Sequence, residues 1–313
     1  MKKIKKILLI ALLFIVLCTG CTKTIKDGKN AVTYEETGQI LTSNILCKPS
    51  NENLYSKYEE YNDKLQVKLE DLPTCSSFTP KKLKYQSLWE TIFIKPLAYI
   101  ILKLGYLVKN MGVSVMIIGL LIRLIMMPIQ VGTVKQSENM KKIQPEIQKI
   151  EKKYANKTDN ESLMAKSQET MLLYKKYNIN PVGGCVMAFI QLPLFLAFLE
   201  AINRVPAIFE GKFLNMSLGM TPATGIAHHN YFYIVLVILI IVTTYFSFKN
   251  SMSGQDQNSE MAQQMKMMFI MMIAMISFAS LSLPTAIALY WIVTNGFAVV
   301  QNIIIKKITE KKV

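Results

Sequence analysis

Five stretches of this chain are almost wholly apolar, and each is long enough to cross a lipid bilayer. Spanning the hydrocarbon takes about 17–25 residues of helix. Lipid offers no hydrogen bonds to the backbone, so a spanning segment has to pair its own N–H and C=O groups, as a helix does. The sequence therefore predicts an all-α membrane protein with five transmembrane helices. They are Val113–Val131, Val182–Ile202, Tyr231–Phe248, Met265–Leu283 and Thr285–Ile305.

The overall composition agrees with this prediction and excludes other classes of protein. Of the 313 residues, 51% are hydrophobic and only 18% are charged, against roughly 25% charged in soluble domains. Intrinsic disorder is excluded, because it requires low hydrophobicity. His228 and His229 are the only histidines, so a multi-histidine metal site is not expected. We expect no metal and no cofactor.

The N-terminus has the pattern of an export signal. Four lysines precede an apolar run over 7–18, and small residues lead to Cys21. This predicts a signal peptide over residues 1–20. The end of the run resembles a bacterial lipobox, which implies that Cys21 carries diacylglycerol and palmitate; Cys18 stands where a lipobox usually has leucine. The alternatives are an ordinary signal peptide or an uncleaved anchor, with Cys21 a plain thiol.

Residues 21–85 then form a small, polar, lipid-anchored region outside the cytoplasm, with so little periodicity that it could be loosely ordered. Cys47 and Cys75 lie in it and could form a disulfide, which is stable outside the cell, or remain free thiols.

Residues 86–111 follow with apolar side chains at helical spacing. Charged residues, including Glu90 and Lys95, interrupt them, which predicts a helix lying in the membrane interface rather than a span. Pro96 is expected to bend this helix. The other interpretation is a helix packed on a soluble domain.

Lysines set the predicted orientation. Residues 135–178 contain ten lysines and the tail 306–313 contains four, whereas the loop 203–230 contains only Arg204 and Lys212. Positive charge favours the cytoplasmic side, so the C-terminus is predicted inside and the N-terminus outside the plasma membrane of a bacterium.

The lysine-rich segment 135–178 has a helical pattern of its own. Apolar residues recur from Met140 to Tyr154, and Met164, Met171 and Tyr174 continue them after a break. A capping box beginning at Thr158 would start the second helix. We predict an antiparallel helical hairpin. Its lysines could bind ribosomal RNA or anionic lipid headgroups, or serve only as a solvated topology signal.

Arg123 is the residue that points most directly to a function. It is the eleventh of nineteen residues in the first span, near the bilayer centre, where an arginine costs about 2.5–3.5 kcal/mol. Only two of the 36 basic residues are arginine, and no acidic residue lies centrally in any span. We expect a hydrated, positively charged pocket lined by neutral polar groups, unless Arg123 reaches to the interface. Each polar residue could instead make a helix–helix hydrogen bond. The candidates include Gln191, Tyr290, Thr294, Asn295 and Gln301.

Several motifs in order resemble the YidC/Oxa/Alb family of membrane protein insertases. They are Leu121-Ile122-Arg123 with Met127-Pro128, then Gln144-Pro145 in the hairpin. Next come Asn180-Pro181-Val182-Gly183-Gly184-Cys185 and Gln191-Leu192-Pro193-Leu194-Phe195, and the last is Leu289-Tyr290-Trp291-Ile292-Val293-Thr294-Asn295. The resemblance covers about residues 86–307. The lipobox and the small exported region are similar to the Gram-positive branch.

This resemblance implies a five-span core, residues 112–305, enclosing a hydrophilic groove that is open to the cytoplasm and to lipid. Arg123 would be the groove arginine, and Trp291 stands where the family often has a substrate-contacting tyrosine. The implied function is a chaperone-like insertase for nascent membrane proteins, acting alone or with the Sec translocon and meeting the ribosome, with no small-molecule substrate. An enzyme is not expected, because no nucleophile, base or metal-ligand cluster is present. The alternative function is a small-anion transporter that uses the intramembrane arginine.

Overall fold

The computed structural model describes residues 22–84, 86–179, 183–252 and 260–310. The signal peptide and Cys21 lie outside these residues, so lipidation stays a prediction. The described chain is mainly helical. The helices are α1 (Glu52–Glu60), α2 (Lys95–Leu107), α3 (Met111–Ile125), α4 (Met127–Tyr154), α5 (Asn160–Lys176), α6 (Gly183–Asn203), α7 (Pro206–Phe209), α8 (Pro222–Ala227), α9 (Phe232–Met252), α10 (Glu260–Ser280) and α11 (Thr285–Glu310).

Among the described residues, two helices are long and apolar enough to cross a membrane, through Phe232–Lys249 in α9 and Thr285–Ile305 in α11. A third span results if α3 and α4, which are bent against each other, count as one. Gln191–Asn203 and Lys266–Ser280 are shorter apolar helical segments within the described residues. A membrane protein with helical spans is therefore supported, and the number of five stays a prediction.

The first predicted span is not a single straight helix in the structure. Instead of one helix over Val113–Val131, the chain bends at Met126 between α3 and α4. Pro128 lies in the first turn of α4, where a missing N–H costs nothing, and the N–H groups of Ile129 and Gln130 both bond the Met126 carbonyl. The bend is thus a new helix start, and α4 continues without interruption into the predicted hairpin.

Residues 22–84 fold around a small core and are not loosely ordered. Short antiparallel ribbons, β1 (Lys26–Asp27) with β2 (Asn30–Ala31) and β3 (Thr33–Tyr34) with β4 (Gln39–Ile40), precede α1. Three 3₁₀ turns follow at Asn62–Lys64, Leu69–Asp71 and Cys75–Ser77. The core contains Ile25, Val32, Tyr34, Leu41, Ile45, Leu54, Tyr58, Leu65, Leu69 and Leu72. A disulfide joins Cys47 and Cys75, both of which are buried.

The predicted interfacial segment has two distinct faces. A π-helical turn, Glu90–Ile94, leads directly into α2. The π-helical distortion directly precedes Pro96, which lies in the first turn of α2; the bend predicted at Pro96 stays a prediction. One face is buried and includes Ile94, Ala98 and Ile101. The other face leaves large apolar side chains exposed, among them Leu88, Ile92, Phe93, Ile100 and Leu107.

Helices α4 and α5 pack against each other, and their shared apolar core lies along the middle of α4 and at the C-terminal end of α5. Ile143 and Ile147 from one arm pack with Leu173 and Tyr174 from the other and with Ile179. Lys153 pairs with Glu169, and the Tyr177 hydroxyl bonds Glu146 across the arms. In the second arm the predicted seam is wrong for Met164 and Met171, which are exposed, and confirmed for Tyr174, which is buried.

The second arm begins one residue later than predicted. The cap is Asp159 rather than Thr158, and the Asp159 carboxylate accepts a hydrogen bond of 2.8 Å from the backbone N–H of Ser162. This bond lowers the pKa of Asp159, so the cap is present at neutral pH and is lost as the pH falls through that lowered pKa.

Asp159→Ala is expected to speed amide hydrogen exchange in the first turn of α5, because it leaves the Ser162 N–H without its acceptor. Thr158→Ala is the matched control and should leave exchange unchanged. Equal effects of the two variants, or a larger effect of Thr158→Ala, would place the cap at Thr158.

The chain divides into two compact units. The first comprises residues up to Gly119, Leu192–Leu239 and Ala279–Val293. It contains residues 22–84, α2, and the segment from α7 to α8 with the ribbon of β5 (Lys212–Phe213) and β6 (Met216–Ser217). The second comprises Leu120–Gln191, Ile240–Phe278 and the chain from Thr294 onward, and it contains the hairpin.

Candidate intramembrane site

Four of the six predicted groove residues lie in the second unit: Arg123, Gln191, Thr294 and Asn295. Arg123 is in the last turn of α3, on a helix whose other residues are apolar or small. Both Arg123 and Gln191 are partly buried, whereas Thr294 and Asn295 on α11 are buried. The sequence contains no aspartate or glutamate in 113–137, 231–255 or 285–309.

Asn295 makes a specific contact inside this unit. Its Nδ2 donates a hydrogen bond of 3.2 Å to Oγ1 of Thr244 on α9, and both side chains are buried. This is the helix–helix hydrogen bond that the sequence offered as the second interpretation of its polar residues. Thr244 therefore holds Asn295 in a fixed position on α11.

Other hydroxyls in the second unit bond their own helix. Oγ1 of Thr243 donates to the Ile240 carbonyl at 3.2 Å, and Oγ of Ser277 donates to the Ile273 carbonyl at 2.7 Å. Such bonds satisfy a hydroxyl inside an apolar helix without another helix.

The remaining two predicted groove residues, Tyr290 and Trp291, lie in the first unit within an aromatic cluster. The ring of Tyr290 stacks on Phe198 with centroids 3.9 Å apart and lies 6.3 Å from Phe195. Trp291 meets Phe195 edge to face at 5.3 Å. The cluster packs α6 against α11, and tyrosine and tryptophan add one polar atom each to an otherwise apolar surface.

A second polar cluster, which sequence reasoning missed, is buried in the first unit. The Glu90 carboxylate pairs with Arg204 (Nη2 to Oε2, 3.0 Å) and with Lys95 (Nζ to Oε1, 3.2 Å). These three side chains are between 1% and 5% exposed. Arg204 also donates from Nε to the Asn44 carbonyl at 2.6 Å. The ion pair thus joins the π-helical turn and the start of α2 to residues 22–84 and to the residue that follows α6.

Glu200 extends this polar cluster by one helical turn. Its Oε1 accepts a hydrogen bond of 3.3 Å from the indole N–H of Trp89, which is itself buried. The cluster therefore contains two carboxylates and two cations from segments more than 100 residues apart. Glu90 and Arg204 are 114 residues apart, which explains why no local sequence pattern predicted the pair.

No group of three or more histidine, cysteine or acidic side chains with metal-binding geometry occurs among the described residues.

Comparison with known proteins decides the family. Residues 103–312, more than half of the chain, match the sequence profile of the family described as "60Kd inner membrane protein". The chain belongs to the 60Kd inner membrane protein family. The predicted resemblance to this group of proteins is thereby confirmed, and with it the location in a bacterial membrane.

Curated proteins with similar sequences are named membrane protein insertases. "Membrane protein insertase YidC 1" of Listeria monocytogenes is 38% identical over 184 residues, which are 59% of this chain and 60% of that protein. "Membrane protein insertase YidC 1" of Bacillus anthracis is 34% identical over 248 residues, 77% of this chain and 90% of that protein. "Membrane protein insertase MisCA" of Bacillus subtilis is 36% identical over 186 residues, 59% of this chain and 66% of that protein. These names describe insertases and not enzymes.

The chain thus spans 60% of the length of the Listeria relative. Among solved structures, "Active YidC insertase crystal structure with the first transmembrane domain resolved" aligns with a TM-score of 0.49 and 25% identity, covering 69% of this chain and 46% of that chain.

Proposed function

We propose that this protein is a membrane protein insertase and chaperone. It takes newly made integral membrane proteins through a hydrated, positively charged groove within the bilayer, alone or with the Sec translocon. The observation that carries this proposal is Arg123, a permanent charge in the last turn of an otherwise apolar helix. The insertase names of relatives 33–38% identical support the same conclusion.

The charge explains what the groove does for a client. A client's exported tail has to cross the hydrocarbon, where a polar group without a hydrogen bond costs several kcal/mol. Water held around Arg123, Gln191, Thr294 and Asn295 shortens the apolar part of that path. The guanidinium attracts acidic residues of the tail, and the membrane potential assists their outward movement by about 2.3 kcal/mol per charge per 100 mV.

The client's apolar helix then leaves sideways into lipid. Burial of its own apolar surface drives this step, so no nucleotide is required. Tyr290 and Trp291 supply flat, amphipathic surfaces that a passing helix can contact without a fixed sequence.

The segments around the groove would contact lipid on one side and the ribosome on the other. The exposed apolar face of the interfacial segment, with Leu88, Ile92 and Leu107, fits the lipid boundary, and Cys21 would add a lipid anchor outside. The lysine-rich hairpin and tail would lie in the cytoplasm, where they can bind the ribosome. The N-terminus is then outside and the C-terminus inside the plasma membrane.

Arg123→Ala is expected to slow the insertion of clients with acidic exported tails about tenfold, equivalent to roughly 1.4 kcal/mol in the barrier. Clients with neutral tails should be affected far less. Arg123→Lys should retain much of the activity, because it keeps the positive charge. The measurement is insertion into proteoliposomes containing the purified protein, followed by protease protection of the exported tail.

A photoreactive residue at Gln191 or Trp291 separates this function from anion transport. With a stalled single-span client, both positions should crosslink to the nascent chain, and Ile238, exposed on α9, should not. Equal slowing of acidic and neutral clients would refute the electrostatic step. No crosslink at either position, together with uptake of small anions, would favour the transporter.

A further inference from the structure

The last helix, α11, has one continuous buried face with a single unsatisfied amide. The residues of this face recur every three or four positions and are all less than 9% exposed: Ile287, Tyr290, Thr294, Ala298, Gln301 and Ile305. Gln301 is only 1% exposed. Within the described part of the chain, neither its Nε2 nor its Oε1 has a hydrogen-bond partner.

Asn295 on the same helix shows what a satisfied amide looks like. Its Nδ2 bonds Thr244 at 3.2 Å, and that bond joins α11 to α9. Gln301 lies nearly two turns further along, closer to the basic end of the helix, and makes no comparable bond. The two amides therefore differ in role, although they belong to the same helix and the same compact unit.

An amide buried without partners is unfavourable. Each buried donor or acceptor without a hydrogen-bond partner raises the free energy of the folded state, and an apolar side chain of the same size avoids that cost. A polar side chain retained inside an apolar helix of a membrane protein is accordingly a candidate for function. Its chemistry is specific, because a glutamine amide offers one acceptor and two donors in a plane. The natural complement of that arrangement is another amide, such as a peptide group.

We propose that Gln301 binds the polypeptide backbone of the client, independently of the client's sequence. This inference rests on the proposed insertase function and deepens it. Arg123 distinguishes clients by the charge of their tails, whereas Gln301 would bond the N–H and C=O groups that every client carries. An extended tail has such groups unpaired until it becomes helical or leaves the bilayer, so a fixed amide lowers the cost of that stage.

The unsatisfied amide also couples client entry to opening of the site. A group that is 1% exposed is reached only when the packing around it loosens. The closed packing is less stable with glutamine than it would be with an apolar residue, which makes opening easier. A client peptide group then provides the two missing bonds, so the open form is favoured only when a client is present.

Gln301→Met tests this proposal, because methionine keeps the length of the side chain and removes its donor and acceptor. We expect the Tm of the purified protein in nanodiscs to rise by about 2 °C or more. Insertion should slow by about threefold to tenfold, and by the same factor for acidic and neutral tails. Asn302→Met is the matched control, since Asn302 is adjacent and not buried. It should change neither quantity. Asn295→Leu should lower the Tm, because it breaks a bond that exists.

Three results would overturn the inference. A lower Tm for Gln301→Met would mean that the amide is a structural hydrogen-bonding group. A slowing confined to acidic tails would assign Gln301 to charge recognition. Unchanged insertion by Gln301→Met, alongside normal insertion by the wild-type protein, would refute the backbone contact alone. Failure of the wild-type protein to insert any client would instead refute the proposed function.

Discussion

Arg204→Met is expected to destabilise the protein by about 3–5 kcal/mol, the typical cost of removing one partner from a buried ion pair. The substitution leaves the Glu90 carboxylate without the guanidinium that lies 3.0 Å from its Oε2. It also takes the donor from the Asn44 carbonyl, which accepts from Arg204 Nε at 2.6 Å. Methionine fills much of the volume, so the loss comes from uncompensated polar groups rather than from a cavity.

Thermal unfolding in nanodiscs measures this effect, with an expected decrease in Tm of about 5–10 °C. The Tm of Arg204→Lys should lie between that of the wild-type protein and that of Arg204→Met. Lysine keeps the positive charge but lacks the planar guanidinium that bonds two acceptors at once. Lys212→Met, on the same connection between α6 and α9, removes an exposed cation and should leave the Tm unchanged.

Glu90→Gln combined with Arg204→Met isolates the pair itself. The double variant should lose less free energy of unfolding than the two single variants lose in sum, by about 0.5–3 kcal/mol, because it removes both charges together. An Arg204→Met protein as stable as the Lys212→Met control would contradict the buried pair.

The buried pair also shows where sequence reasoning stops. Glu90 and Lys95 interrupt an apolar pattern, and from the sequence alone they predict a polar face toward water. In the structure both are buried, because they pair with each other and because Arg204, 114 residues after Glu90, also pairs with the Glu90 carboxylate. Local periodicity can place apolar side chains on one face of a helix, but it contains no information on a partner so distant in the sequence.

The hairpin also shows that sequence periodicity does not decide which residues of a helix are buried against its neighbour. Its two arms and its turn follow from apolar spacing and a cap, and the structure has both helices. Met164 and Met171 satisfied the heptad spacing equally well, yet Leu173 and Tyr174 are the buried residues. The choice depends on which side of α5 faces α4, and the interdigitation of Ile143 and Ile147 decides that.

At the candidate site, sequence alone identified the arginine and the polar positions of α11, because charge and polarity are conspicuous in apolar helices. It did not distinguish Asn295 from Gln301. The Asn295 amide bonds Thr244, whereas the Gln301 amide has no hydrogen-bond partner in the described part of the chain. This difference depends on the packing of α9 against α11. Only the three-dimensional arrangement separates a structural hydrogen bond from an amide that is available to a client.

Cys75→Ser is expected to destabilise the exported region by about 3 kcal/mol, because Cys47 and Cys75 close a loop with a sequence separation of 28. Loss of the crosslink lets the unfolded region explore more conformations, while the core around Leu41 and Leu54 remains. Hydrogen exchange of residues 22–84 in the full-length protein measures the effect locally. The hairpin, in the other compact unit, provides an internal reference that should not change.

Cys47→Ser, Cys75→Ser and the double variant should have nearly equal effects, because each of them breaks the same bond. Effects that add in the double variant would show two independent thiols. The bond also tests the proposed orientation, since a disulfide persists outside the cytoplasm and is reduced within it. Reduction also destabilises the region and so opens thiols that are buried when paired. In intact cells, a membrane-impermeant maleimide should therefore label both cysteines after reduction and neither before it. Labelling that requires permeabilised cells would place residues 22–84 in the cytoplasm and reverse the topology on which the direction of client insertion depends.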